Sequence, residues 1–526
     1  MPKYGHSSIT HMTNPLIKKI LSGSFLRAFL LFCNIIISLF MMPFLINSLG
    51  QRFYGLWAIV GKMMGYYGFL DFGLSSSVSR FLSRSHGQQD TLEMNKVANT
   101  GMFLFSLIGL FTLIITIIFV FICHLFIDDP DDIQTFQIVI FLMGGSMAIE
   151  FPMRVYLGVL EARVRFDLTT YIDLFKLFTR TLLIFYFVYN GHGIVAMALV
   201  VFAVNISGHI ITIILAKREF KELTFSITLI DKSNFGEFFT YSFSTFVIQI
   251  ANSLKFKASS FIIAGFIGLS AVTIYEVAAR LIGYFIQIID RSLGVLTPVF
   301  SQYDGKGNTK DINKLFLEST TLSVIISVFI GATLALYGEA FITRWIGEGY
   351  NDSITILQIL VVPVTIALTQ NTSLSLLKGI SKHHFYAISN AIEGVANLVL
   401  SLILVQIYGI YGVAIGLLIP MLFMKLFIQP VYVCRVININ MRKYFLNSLI
   451  IPGFKSFLPI YAYYYLLQDY FVPSFVNLFI LILVQTLLFV PLCLIFIFTS
   501  GQKQYILDLY NRKFKNTAGI NNKPLP

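Results

Sequence analysis

Hydrophobic residues are gathered in long blocks along this chain, with polar residues in short segments between them. Apolar stretches of helix length lie near residues 24–46, 55–79, 100–123, 134–157, 169–189, 194–216, 237–266, 271–299, 316–337, 353–377, 384–406, 411–433, 445–467 and 474–498. A helix needs about 20 apolar residues to cross a ~30 Å hydrocarbon core, whereas a membrane barrel has short alternating strands. The pattern predicts an all-α polytopic membrane protein with fourteen transmembrane helices. Lys18 and Lys19 precede the first stretch, but its run to Ile46 is longer than a leader's apolar region, so it reads as a retained span.

The blocks repeat. LGQRFYGLWAIVGKMMGYYGFLDFGLSSSVSRFLSR from Leu49 is answered by IGLSAVTIYEVAARLIGYFIQIIDRSLGVLTPVFSQ from Ile267, with Tyr275 in the place of Tyr54. EMNKV at 93–97 returns as DINKL at 311–315, an offset of 218, and 166–193 maps onto 385–412 at 219. A nearly constant offset over this length implies an internal duplication of about 220 residues. Each copy holds six spans, an even number, so the predicted arrangement is two six-helix lobes related by a parallel pseudo-two-fold axis, plus two extra C-terminal helices. The expected boundaries are a cytoplasmic N-terminus (1–23), an N-lobe (24–216), a cytoplasmic linker (217–236), a C-lobe (237–433), the last helix pair (445–498) and a basic cytoplasmic tail (499–526).

Composition agrees with a membrane protein: of 526 residues 56% are hydrophobic and 12% charged. The net charge of +12 is spread along the chain rather than gathered in a soluble basic domain, which argues against nucleic acid as partner. Lysine and arginine cluster in the N-terminus, in every second inter-span segment and in the tail. The opposite side has only Arg52 and Arg344, with the acidic run Asp128, Asp129, Asp131 and Asp132. The positive-inside rule then makes both termini cytoplasmic. Cys33, Cys123, Cys434 and Cys493 have no paired spacing, and the histidines show no metal-ligand spacing, so no metal or cofactor is expected. Tyr461, Tyr463, Tyr464, Tyr465, Tyr470 and Phe471 read as an aromatic belt at the outer end of the last pair.

The chemistry lies in the ionisable residues inside the spans. Each costs about 2.5–3.5 kcal/mol if it faces lipid at mid-depth, so most must face protein, water or an interface. Glu276, Arg280, Gly283, Gln287 and Arg291 fall on one helix face, as do Arg27, Asn34 and Ser38. Asp173, Lys176 and Arg180, Ser146, Glu150 and Arg154, and Asn390, Glu393, Asn397 and Ser401 form further stripes. Stripes in both lobes predict a water-filled, positively lined cavity between them. Lys62 and Asp71 fall on opposite faces of a continuous helix unless the glycines at 61, 65, 68 and 73 break it, and Lys255 and Lys257 also diverge. Arg27, Arg154, Lys425 and Lys455 lie near span ends, where snorkelling explains them equally well. Glu276 with Arg280, and Asp173 with Lys176, have the spacing of structural ion pairs.

LGQRFYGLW and LDFGLSSSVSR in the first half, with TIYEVAARL and a proline-containing exit in the second, resemble the Wzx-type O-antigen flippases of the multidrug/oligosaccharidyl-lipid/polysaccharide (MOP) exporter superfamily. The resemblance covers nearly the whole chain. It implies a MATE-like fold in the bacterial inner membrane and alternating-access flipping of an undecaprenyl-pyrophosphate-linked oligosaccharide, with a polysaccharide polymerase and a chain-length regulator as further partners. Lys255 and Lys257 depart from it, because many relatives carry an acidic or neutral residue in span seven; a coupling carboxylate is therefore not transferred there.

A polyanionic headgroup calls for lysine and arginine in a partly desolvated cavity. The candidates are Lys62, Arg180, Lys255, Arg280 and Arg291, followed by Arg27, Arg154, Lys176 and Lys257. Asp71, Glu150, Asp173, Glu276 and Glu393 are the candidates for proton or sodium coupling. The alternatives are a lipid II flippase and a multidrug exporter of the same superfamily, the latter expected to have a net acidic cavity. An enzyme would need a larger extramembrane loop than this chain provides.

Overall fold

The computed structural model describes residues 15–122, 130–231, 258–293, 296–305, 307, 309–382, 384–468 and 474–497. The helices are α1 (Pro15–Tyr67), α2 (Leu74–Gly87), α3 (Thr91–Ile122), α4 (Pro130–Ala162), α5 (Phe166–Tyr189), α6 (Ile194–Glu219), α7 (258–266), α8 (Leu269–Leu293), α9 (Leu296–Gly305), α10 (Thr309–Trp345), α11 (Asn351–Thr369), α12 (Asn371–Gly379), α13 (His384–Phe423), α14 (Gln429–Val436), α15 (Met441–Lys443), α16 (Ile451–Leu467) and α17 (Phe475–Phe496). No strand occurs among the described residues.

Nine helical stretches among the described residues are long and apolar enough to cross a membrane. The difference from fourteen has physical causes. α1 carries spans one and two through a bend at Gly50, and α13 carries span eleven and the start of span twelve through one at Gly409. Span five is diluted by Asp173, Lys176 and Arg180, α16 has 17 residues, and most of span seven lies outside the described residues.

The duplication is visible in the backbone. Gly50 and Gly268 have φ of 80° and 125°, Gly191 and Gly409 have 80° and 58°, and Gln89 and Gly307 have 58° and 66°. Each pair is separated by 218 residues. Left-handed backbone is cheap for glycine and costly elsewhere, so these turns were fixed before the copies diverged.

The chain divides into two compact units, Met1–Ser253 with Gly268–Thr273, and Leu254–Ile267 with Ile274–Pro526. In the first, α4 packs against α3 and α6, and α5 against α1 and α6, over a core that includes Phe105, Phe151, Val155 and Leu160. In the second, α10 packs against α11 and α16, and α11 against α13; Phe316 stacks on Tyr444 at 5.5 Å. The expected aromatic belt is only partly one. Tyr461 and Tyr465 face outward, but Tyr463 donates to the Leu481 carbonyl at 3.1 Å and Tyr464 packs edge-on to Tyr337. Tyr463 is two residues from both Tyr461 and Tyr465, about 200° around the helix, and so points to the opposite side. Tyr470 and Phe471 lie outside the described residues.

The chain leaving α6 is clamped to α3. Asn95 donates to the Glu222 carbonyl at 3.0 Å and accepts from the Thr224 N–H at 2.9 Å; Asn99 does the same for Thr224 and Ser226 at 2.8 and 2.7 Å. The repeat equivalent of Asn95 is Asn313, which donates to the Ile437 carbonyl at 3.2 Å, just beyond α14. Asn99→Ala removes a buried amide and strands its partners, so a loss of about 1–3 kcal/mol is expected. Thermal unfolding in detergent, with proteolysis of the linker, measures it.

At the same end Arg165 forks onto Asp167 with two contacts of 3.1 Å and also pairs with Glu219, joining the start of α5 to the end of α6. Burial alone would raise the Asp167 carboxyl, but the hydrogen bond and charge of Arg165 outweigh it and hold the group below its ordinary value. A depressed carboxyl adds stability above its unfolded pKa, and the gain is lost as pH falls through the folded value. The acid limb of the unfolding curve should therefore flatten in Arg165→Gln.

Candidate functional site

The first unit builds its site at a helix break. α1 ends at Tyr67, Gly68–Asp71 forms a 3-10 turn, and Phe72 and Gly73 are left-handed at φ 47° and 78° before α2 begins. The break that the glycines permitted thus falls between Lys62 and Asp71. It leaves the Asp71 carboxylate at the N-terminus of α2, where Ser75 Oγ donates to it at 2.5 Å and the Ser75 N–H at 3.3 Å. The helix dipole favours an anion there.

Arg154 on α4 reaches that carboxylate at 3.0 Å and Glu150 at 3.1 Å, with its guanidinium 4.7 Å over the Phe151 ring. It is a tied cation rather than a snorkelling one. On α5, Lys176 pairs with Asp173 at 3.1 Å. A Cβ on Gly208 of α6 would come within 2.7 Å of the Lys176 Cδ, so the bare glycine makes room for the lysine stem. Gly208→Ala is expected to displace Lys176 and lower transport about as much as Lys176→Gln, as a surface-glycan assay would report.

These groups share a cavity of about 500 Å³ whose wall includes Glu150, Arg154, Glu161, Asp173, Lys176 and His209. Glu161 accepts from Ser79 at 2.9 Å. His209 Nε2 has no hydrogen-bond partner among the described residues. Among the histidines, which show no metal-ligand spacing, nothing marked His209 as a cavity residue except its place beside Gly208. The wall is mixed in charge, because Arg154 and Lys176 each come with a carboxylate three or four positions away.

The remaining candidates are dispersed. Lys62 and Arg180 are partly buried, and neither lines this cavity; Arg180 lies one turn beyond Lys176. Arg27 is exposed and stacks over Phe166 at 4.4 Å. In the second unit Arg280 is partly buried and Arg291 exposed, and buried Glu276 accepts from Ser260 Oγ at 2.7 Å. Lys255 and Lys257 lie outside the described residues. Asp290, 219 residues after Asp71 and so within one position of its place in the repeat, accepts from Asn371 at 2.6 Å. Each unit therefore holds an acid near the end of its second span with a donor from its fourth.

The second unit also contains a buried polar knot. Lys425 sits in a π turn, Met424–Ile428, and donates to Gln429 at 2.9 Å, Asn390 at 3.1 Å and Tyr386 at 3.2 Å, with Glu393 at 3.7 Å. Snorkelling is excluded by its 6% exposure; the widened turn aims it inward. Lys455, the other lysine expected to snorkel, is exposed and donates to the Phe496 carbonyl at 3.3 Å.

The sequence profile of the polysaccharide biosynthesis protein family matches residues 20–304, more than half of the chain. The chain belongs to that family. A Shigella flexneri protein described as "Putative O-antigen transporter" is 23% identical over 400 residues, 74% of this chain and 92% of that protein. The fold is similar to lipid II flippase MurJ in an inward closed conformation, with a TM-score of 0.70 at 16% identity, covering 90% of this chain and 98% of that one. An inward-facing MATE transporter of the MOP superfamily matches with a TM-score of 0.65 at 17% identity, covering 77% and 94%. This member of the polysaccharide biosynthesis protein family has nine apolar helical stretches of membrane-spanning length among its described residues, and it shares its fold with solved transporters described as members of the MOP superfamily.

Proposed function

We propose that this protein is a flippase carrying undecaprenyl-pyrophosphate-linked oligosaccharide across the bacterial inner membrane by alternating access, with both termini cytoplasmic. Family membership supports a glycan cargo. The observation that carries the chemistry is the placing of Arg154 and Lys176, each beside a carboxylate, on one cavity wall. A diphosphate, with two negative charges on one group, can take the fork of a guanidinium and a neighbouring ammonium together, in place of two separate carboxylates. In the proposed cycle the diphosphate displaces Glu150 from Arg154 and Asp173 from Lys176, and release restores the internal pairs. Asp71 stays in place and orients Arg154.

This competition gives the acids a coupling role. A proton on Glu150 or Asp173 weakens its hold on the neighbouring cation and favours the diphosphate, and by linkage the diphosphate favours the proton. Glu150→Gln is accordingly expected to bind cargo more tightly and release it more slowly, seen as higher affinity with lower turnover. Glu276 and Glu393 are coupling candidates of the second unit. Lys62, Arg180, Arg280 and Arg291 stand as further contacts for phosphate or sugar.

The carboxylates of the same wall favour one second reading, export of a cationic drug. A deletion strain separates the two. Loss of surface glycan with lipid-linked oligosaccharide retained inside supports the proposal; intact glycan with heightened sensitivity to cationic drugs supports the second reading.

A further inference from the structure

The two copies of the duplicated unit treat one trough differently. In the first unit the chain beyond α6 runs along α3 as far as Asp231, whose N–H donates to Thr100 Oγ1 at 3.0 Å and whose carboxylate pairs with Lys96 at 3.6 Å. The trough beside Lys96 is therefore filled by a segment of the chain that carries an anion.

In the second unit the equivalent of Lys96 is Lys314 on α10. The chain there turns into α15 soon after α14, and a groove of about 890 Å³ opens beside α10. Lys310, Lys314 and Lys443 line it with Asn440 and Asn447, and among the described residues Glu318 is the one carboxylate on its wall. The groove thus has an excess of positive charge together with amide donors and acceptors.

Its depth and surroundings identify the occupant. α10 has 37 residues, about 55 Å of helix against a ~30 Å hydrocarbon core, so its first turns lie at headgroup level. Leading away from the groove, Leu446, Ile450, Phe454, Leu458, Tyr461 and Tyr465 are all exposed and follow one face of the π turn Tyr444–Ile450 and α16. A basic pocket between membrane helices, continuous with an exposed apolar ridge, has the chemistry of an anionic lipid site.

We propose that this groove binds an anionic glycerophospholipid. The three lysines hold its phosphate, Asn440 and Asn447 bond the headgroup hydroxyls, and an acyl chain lies along the ridge. The site lies outside the cavity of the first unit and does not depend on the transport reading.

The test uses the full-length protein in detergent, titrated with phosphatidylglycerol or phosphatidylcholine and followed by thermal unfolding and native mass spectrometry. Phosphatidylglycerol should bind at least about tenfold more tightly than phosphatidylcholine. The triple variant Lys310→Gln, Lys314→Gln and Lys443→Gln should lose that preference, while Lys217→Gln with Arg218→Gln, an exposed basic pair on α6, should keep it. If the triple variant does not fold, Lys443→Gln alone carries the test, with a loss of about threefold expected. Equal binding of both lipids, or an unchanged preference in the lysine variants, would overturn the proposal. So would stabilisation by a polyprenyl diphosphate or an acidic peptide without any by phosphatidylglycerol.

Discussion

Arg154→Ala is expected to abolish surface glycan while the protein stays in the membrane. The guanidinium joins the carboxylate at the α1–α2 break to one on its own helix, so its removal takes away the proposed phosphate contact and leaves Asp71 and Glu150 without that cation. Breaking a buried pair costs about 3–5 kcal/mol. Arg154 keeps 19% of its side-chain surface exposed, which places it at or below the low end of that range. Arg154→Lys separates charge from geometry. It preserves the charge but cannot hold both acids and a phosphate in the planar fork, so a transport rate about tenfold lower is expected, the equivalent of one lost charge-assisted bond. Membrane abundance measured alongside surface glycan distinguishes lost transport from lost protein. Wild-type export by Arg154→Lys would mean that only charge matters there.

Lys425→Ala should be the most destabilising single change in the second unit. It removes the donor to Tyr386, Asn390 and Gln429 and takes the nearby cation from the fully buried Glu393 carboxylate. An uncompensated buried charge of this kind costs about 3–5 kcal/mol. Replacing both partners, as Lys425→Met with Glu393→Leu, should restore most of the stability, because apolar residues of similar volume avoid the desolvation cost. Thermal unfolding in detergent reads both variants. If the single and double variants are equally destabilised, the ammonium acts through its amide partners and not through Glu393.

Much of the fold was legible because the bilayer imposes its own period on the sequence. The stretch from Leu49 to Arg84 could also be paired with that from Ile267 to Gln302 across the duplication, and the left-handed turns at Gly50 and Gly268 agree with that pairing. The site was less legible, since its partners come from different helices. Arg154 near a span end looks like a snorkelling residue until the turn at Phe72 and Gly73 brings Asp71 to it. Lys425 was misjudged because one π turn rotates it inward, and nothing in the apolar run around it marks that turn. The stripe Asp173, Lys176 and Arg180 was found by helical spacing, but spacing could not tell that Lys176 lines the cavity and Arg180 does not.

The central claim is that Arg154 and Lys176 take a lipid-linked diphosphate in exchange for their own carboxylates. It is tested most directly by flipping of a fluorescent polyprenyl-diphosphate oligosaccharide in proteoliposomes containing wild type, Lys176→Gln or Asp173→Asn. The account predicts flipping by wild type, near-complete loss in Lys176→Gln, and tighter cargo binding in Asp173→Asn. Undiminished flipping by Lys176→Gln, or weaker binding by Asp173→Asn, would contradict it.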